Sequence, residues 1–161
     1  METLTEAHIR QWLEAVKDPE IPVLSLVDLG VIRDISIQGQ KVKVVMTPTF
    51  SGCPAIDMMK QDVQEVLKNN GVEEVEVEVN FKTAWNSNLI SEKGRAAIKK
   101  FGLAPPPMHN LIVDIDIIEK AKCPRCDGEN TEMKTPFGPT LCRSIHYCYD
   151  CREAFEQFKP L

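Results

Sequence analysis

Aromatic side chains are scarce in this chain, at 6% of residues, and histidine occurs only three times. No apolar run approaches the roughly 20 residues that cross a bilayer as a helix. The opening METLTEAHIRQW is polar and amphipathic and lacks the apolar stretch of a signal peptide. Positive charge is short as well. A net charge of −5 argues against broad electrostatic attachment to nucleic acid or to anionic membrane. The three histidines suit no nucleophile: His8 falls in an amphipathic stretch, His109 beside a proline run and His146 among the C-terminal cysteines. These absences leave a soluble, cytoplasmic reading. In a reducing compartment its six cysteines are expected to be metal ligands or reactive thiols rather than disulfides.

What is present has order. Apolar residues make up 43% of 161 positions, enough for one modest domain and an appended module. Ile9, Trp12, Leu13 and Val16 recur at helical spacing behind a Thr3-x-x-Glu6 box, which predicts a helix over 4–17. The prolines of DPEIP (Asp18 to Pro22) end it. Strands are predicted over 31–37 and 41–47, joined by Gln38-Gly39-Gln40. A second helix runs from Pro54 to Asn69 with Ile56, Met59, Val63, Val66 and Leu67 on one face. The third strand, VEVEVNF, alternates: Val75, Val77, Val79 and Phe81 point inward and Glu74, Glu76 and Glu78 outward. A further helix spans Ser91 to Gly102, and LIVDIDII within 108–121 is read as an added strand. The order predicts an α+β fold, a small two-layer domain with a three-stranded sheet and helices. The three prolines of APPPMHN are read as a stiff spacer. This divides the chain into a domain over 1–104, a linker over 105–121 and a module over 122–161.

CPRC and CYDC supply Cys123, Cys126, Cys148 and Cys151. Each CxxC forms a tight knuckle, and two facing knuckles make a tetrahedral sulfur site, the pattern of a zinc ribbon. Structural Zn²⁺ replacing a small core is the expected occupant, and the same sulfurs could hold iron. The segment 123–161 holds five Lys or Arg against six Asp or Glu, so no basic face for phosphates is visible. Cys142 and His146 are substitute ligands or simply packed groups. Phe155 and Phe158 either face a partner or form the ribbon's own core.

The sixth cysteine stands alone in TPTFSGCP. Pro54 suits a first helical position, which would place Cys53 at the N-cap, where free N–H groups draw a thiol below its usual value of about 8.5. The bland alternative is a small buried hydrophobe at a strand–helix corner. Asp18 and Glu20 in the first loop, and Asp28 in VDLG, could join Cys53 as a thiol–carboxylate site for transient iron. Taken singly, Asp18 reads better as a helix terminator and Asp28 as a turn cap.

DPEIP, VDLG-x-I/V and Thr49-x-x-x-Cys53-Pro54, taken in order, resemble the metal–sulfur cluster assembly family of SufT-like proteins over roughly residues 5–102. The resemblance implies an α+β domain that helps deliver or assemble iron–sulfur centres, with Cys53 as the functional thiol and Asp18, Glu20 and Asp28 as its acidic positions. MTPTFSGCP, Trp85 downstream and CPRC…CYDCREAFEQFK extend the likeness to the whole chain. It is similar to the D-subunit family of phenylacetyl-CoA epoxidase systems, the multicomponent monooxygenases of aerobic phenylacetate degradation. That likeness implies an accessory, maturation role rather than an enzyme in its own right. The implied cofactors are structural zinc and a transient iron or iron–sulfur cluster. The implied partners are the oxygenase and/or reductase components, with no nucleic acid and no membrane; a homodimer stays open. The rival readings are a scaffold role in the oxygenase complex, a zinc-ribbon nucleic-acid binder and a Cys53-dependent hydrolase or transferase.

Overall fold

The structure is a computed structural model, and it describes residues 3–112 and 114–161. It divides into two compact units, one ending at Trp85 and one running from Asn86 to Leu161.

In the first unit, helix α1 (Glu6–Leu13) starts where Thr5 accepts the His8 N–H at 3.3 Å. The cap is therefore Thr5, and the helix is shorter than the expected 4–17. Its end tightens because Ala15 and Val16 donate to Trp12 and Leu13, three residues back. The chain then pairs Lys17 with Ser25, which encloses Ile21 and Leu24 in the core. Strands β1 (Ile32–Gln38) and β2 (Lys41–Met46) form an antiparallel hairpin around Gly39, whose φ of +61° supplies the left-handed turn position. Helix α2 (Ile56–Asn69) buries Met59, Val63 and Leu67, and it leads to β3 (Glu74–Val79), which pairs in parallel with β2. The sheet order is β1-β2-β3. One face buries Val42, Val44 and Met46 beneath the helices. The other carries a charge ladder: Lys41 reaches Glu74 and Glu76, and Lys43 reaches Glu76 and Glu78, at 2.6–3.3 Å. Strand β3 stops at Val79, so Phe81 does not point inward as the alternation predicts. It is exposed.

The second unit begins with a short 3-10 turn at Ser87–Leu89 and α3 (Glu92–Phe101), capped by Ser91 at its start and by left-handed Gly102 at its end, as the sequence indicates. Its sheet has the order β4-β7-β6-β5, built from β4 (Leu103–Ala104), β5 (Thr131–Thr135), β6 (Arg143–Cys148) and β7 (Glu153–Phe158). The proline run and its flanks do not act as a free spacer. Leu103 and Ala104 pair with Glu156 and Gln157. The Arg95 guanidinium donates to the Pro106 carbonyl, and Asn88 holds the His109 backbone through both its donor and its acceptor. Where the composition suggests a boundary near 104, the compact units divide at Trp85 and Asn86; Leu103 and Ala104 pair with β7, and the Ser87 N–H donates to the Leu161 carbonyl. LIVDIDII is not a strand: Ile115–Glu119 form a five-residue helix, α4, and Val113 lies outside the described residues.

Candidate functional site

Two cysteine-bearing places stand out, one in each unit. In the second unit, the Cys123 N–H donates to the Gly128 carbonyl and the Asp127 N–H to the Cys123 carbonyl, closing the first knuckle. The residue after each knuckle, Asp127 at φ +58° and Arg152 at φ +62°, is left-handed, so both turns reverse the same way. A methyl group on Gly128 would come within 3.1 Å of the Cys126 sulfur. The four Sγ atoms all lie within 4.8 Å of one another, with Cys123–Cys151 at 3.8 Å and Cys126–Cys148 at 3.5 Å. Tetrahedral Zn–S bonds of ≈ 2.3 Å place sulfurs about 3.8 Å apart, so the donor set fits that metal. The Cys151 N–H draws the Cys148 thiol down to about 7, while burial pushes Cys151 up to about 12. Among the described residues, no other group of three or more His, Cys, Asp or Glu side chains converges in this way.

The two substitute ligands are elsewhere. Cys142 is buried, 3.1 Å from the Thr140 hydroxyl. His146 is fully buried, stacked on Phe155 at 5.4 Å between centroids and 2.9 Å from the Ser144 hydroxyl. Burial lowers its pKa to about 4, so its ring is neutral core. Phe155 and Phe158 are core as well.

In the first unit, β2 ends with the Thr47 N–H donating to the Val31 carbonyl at 2.9 Å. The chain then loops through Cys53, whose N–H donates to the Phe50 carbonyl and whose own carbonyl accepts from Ile56. Helix α2 begins two residues later than predicted, with Ala55 as its N-cap. Cys53 thus precedes the cap and is half-buried. Burial pushes its thiol up, and the Asp18 and Glu20 carboxylates add to the rise. The Ala55 and Ile56 N–H groups pull it down and are outweighed. The expected depression towards neutrality is therefore reversed, because desolvation and two negative charges oppose the thiolate.

The charges of Asp18 and Glu20 are felt at the thiol, both opposing its ionisation. Asp18 Oδ1 accepts the N–H groups of Glu20 and Ile21, both at 2.9 Å, and so shapes the loop that carries them. Asp28 sits in its own turn: its Oδ2 accepts the Ser25 hydroxyl at 2.9 Å, and its N–H donates to Ser25 Oγ at 3.0 Å. The charges acting most on Cys53 are Asp18 and Glu20, not Asp28. Trp85 Nε1 donates to the Leu29 carbonyl at 3.0 Å and anchors the VDLG turn. Thr47, just beyond β2, buries a hydroxyl that has no hydrogen-bond partner among the described residues.

Residues 6–79 match the iron–sulfur cluster assembly protein family, and residues 116–159 match the zinc β-ribbon domain of PaaD proteins. The fold agrees: a crystal structure of a DUF59 domain from Bacillus anthracis superposes with a TM-score of 0.55 at 32% identity, over 58% of this chain and 90% of that one. An Fe-S protein maturation auxiliary factor of Porphyromonas gingivalis is 37% identical over 55% of this chain and 86% of its own length. The architecture is that of an iron–sulfur assembly domain with an appended zinc ribbon. Over nearly its whole length the chain is 33% identical to the Escherichia coli protein named as the D-subunit of a 1,2-phenylacetyl-CoA epoxidase, covering 91% of this chain and 88% of that one. The chain belongs to that D-subunit family.

Proposed function

We propose that this protein is an accessory factor for a phenylacetyl-CoA epoxidase, acting in the cytoplasm, that passes iron or an iron–sulfur unit through Cys53 to an oxygenase or reductase component. The observation that carries this is a half-buried thiol on which the Asp18 and Glu20 carboxylates act from a separate loop. The charges that disfavour a bare thiolate favour a cation beside it, and an arriving cation displaces the thiol proton. Three donors that do not close into a cage hold cargo with positions open to a recipient's ligands, which suits transfer more than storage. Asp28 acts indirectly, by fixing the adjoining turn. The cysteine cage is closed by four sulfurs and serves to hold structural Zn²⁺, making the ribbon a docking module.

The test is a Cys53→Ser variant purified anaerobically and supplied to the maturing oxygenase. The expected result is one zinc retained, native folding and a client poor in iron. Full client loading by the variant overturns the assignment. A scaffold role predicts something different: removing the chain from mature components would abolish their activity, whereas the maturation role leaves it intact.

A further inference from the structure

The β5–β6 turn of the ribbon, residues 136–142, exposes two large apolar side chains, Phe137 at 71% and Leu141 at 63%. Exposed apolar residues are common on loops, but a loop this tightly braced is not. The Phe137 N–H donates to Thr135 Oγ1 at 3.1 Å, and the Gly138 N–H to the Arg143 carbonyl at 2.9 Å. Lys159 Nζ donates to the Pro136 carbonyl at 3.0 Å and lies 6.0 Å from the centre of the Phe137 ring. Its backbone N–H donates to the Cys142 carbonyl at 2.9 Å. A Cβ on Gly138 would sit 3.0 Å from the Arg143 carbonyl oxygen, so the turn closes this tightly only with glycine there. Pro136 and Pro139 stiffen the same turn. Rigid presentation lowers the ordering cost of binding, and both side chains leave most of their surface to solvent.

Charge says what would cover them. In a chain of net −5, no Asp or Glu occurs between Glu132 and Asp150, while Lys134 and Arg143 do. On the strands of this sheet, Glu132 pairs with Lys134 and Glu156 pairs with Arg143. Lys159 turns its ammonium to the Phe137 ring face. We propose that this turn is the ribbon's docking tip. Phe137 and Leu141 enter an apolar pocket on the oxygenase component, and a carboxylate at the pocket rim meets Lys159. This rests on the reading that the oxygenase component is the client.

The experiment measures binding of the full-length, zinc-loaded chain to the purified catalytic component of the epoxidase by interferometry, at low and high salt. Phe137→Ala and Leu141→Ala should each weaken binding about tenfold or more. Lys159→Glu should weaken it about as much at low salt and less at high salt. Each variant should keep its zinc, since these side chains are solvent-exposed or half-buried and none is a ligand. If the wild type binds and the alanine variants bind equally well, the tip assignment is overturned and the client assignment stands. If the wild type does not bind, the client assignment fails and the tip fails with it. If sedimentation shows the wild type dimerising and Phe137→Ala monomeric, the tip meets a second copy of this chain and the proposal is overturned.

Discussion

The cage and the thiol loop place cysteines under opposite rules. In the cage, four sulfurs come from two short repeats, each closed by its own backbone bonds, and all lie within 4.8 Å of one another. In the loop, one sulfur stands by itself, and the charges of two carboxylates some thirty residues earlier in the chain oppose its ionisation. The first arrangement keeps a metal because the protein supplies every ligand. The second supplies one sulfur and no such set of donors among the described residues. The comparison teaches that the fold builds a complete donor set in one place and leaves a single thiol under opposing charge in the other.

Breaking the cage should have the largest effect. Structural zinc in finger peptides contributes about 10–16 kcal/mol of apparent folding free energy. Cys148→Ser is expected to lose the zinc and unfold the ribbon while the first unit persists. Both tryptophans, Trp12 and Trp85, lie in the first unit and both tyrosines, Tyr147 and Tyr149, in the second. Tryptophan emission should therefore stay native while the tyrosine near-UV signal collapses, and loss of both would deny the independence of the units.

The converse change is Leu67→Ala, which removes a fully buried side chain of α2. It should cost about 2–5 kcal/mol, read as a lower urea midpoint for tryptophan fluorescence with zinc content unchanged.

His146 sharpens the comparison through pH. Its folded value of about 4 lies below the ordinary 6.5. Below that ordinary value the unfolded chain takes up a proton that the folded ribbon does not, so stability falls as pH drops from about 6.5 towards 4. The slope is about 1.4 kcal/mol per pH unit. Between about pH 7 and 5.5 the urea midpoint of the tyrosine signal should fall more steeply in the wild type than in His146→Leu, because proton competition for the zinc thiolates is common to both and the histidine contribution is not.

The charge ladder should matter least. Lys41 and Lys43 hold the Glu76 carboxyl below its usual value, Lys41 chiefly by hydrogen bonding. That contribution is complete above the ordinary glutamate pKa and disappears as pH falls through the depressed one. Because the ladder is exposed, Lys43→Ala should shift the neutral-pH tryptophan midpoint hardly at all, and salt should erase whatever shift there is.

Much of this was legible beforehand. The knuckles were, because a CxxC spacing closes on itself whatever surrounds it. The hairpin around Gly39 and the ends of α3 were too, since Gly39, Ser91 and Gly102 satisfy local backbone demands. The behaviour of Cys53 was not. A cap argument counts nearby N–H groups, whereas the sign of the shift depends on burial and on charges from another loop. Phe81 was misread because alternation does not say where a strand loses its partner.

Residue order alone thus determined the β1–β2 hairpin, the ends of α3 and the two cysteine knuckles, since each follows from contacts within a few positions. Tertiary structure decided that Leu103 and Ala104 join the ribbon through β4–β7 pairing, that His146 is neutral core and that the lone thiol is hard to ionise. Each of those depends on which distant groups come close and exclude water, and that is a property of the packed chain.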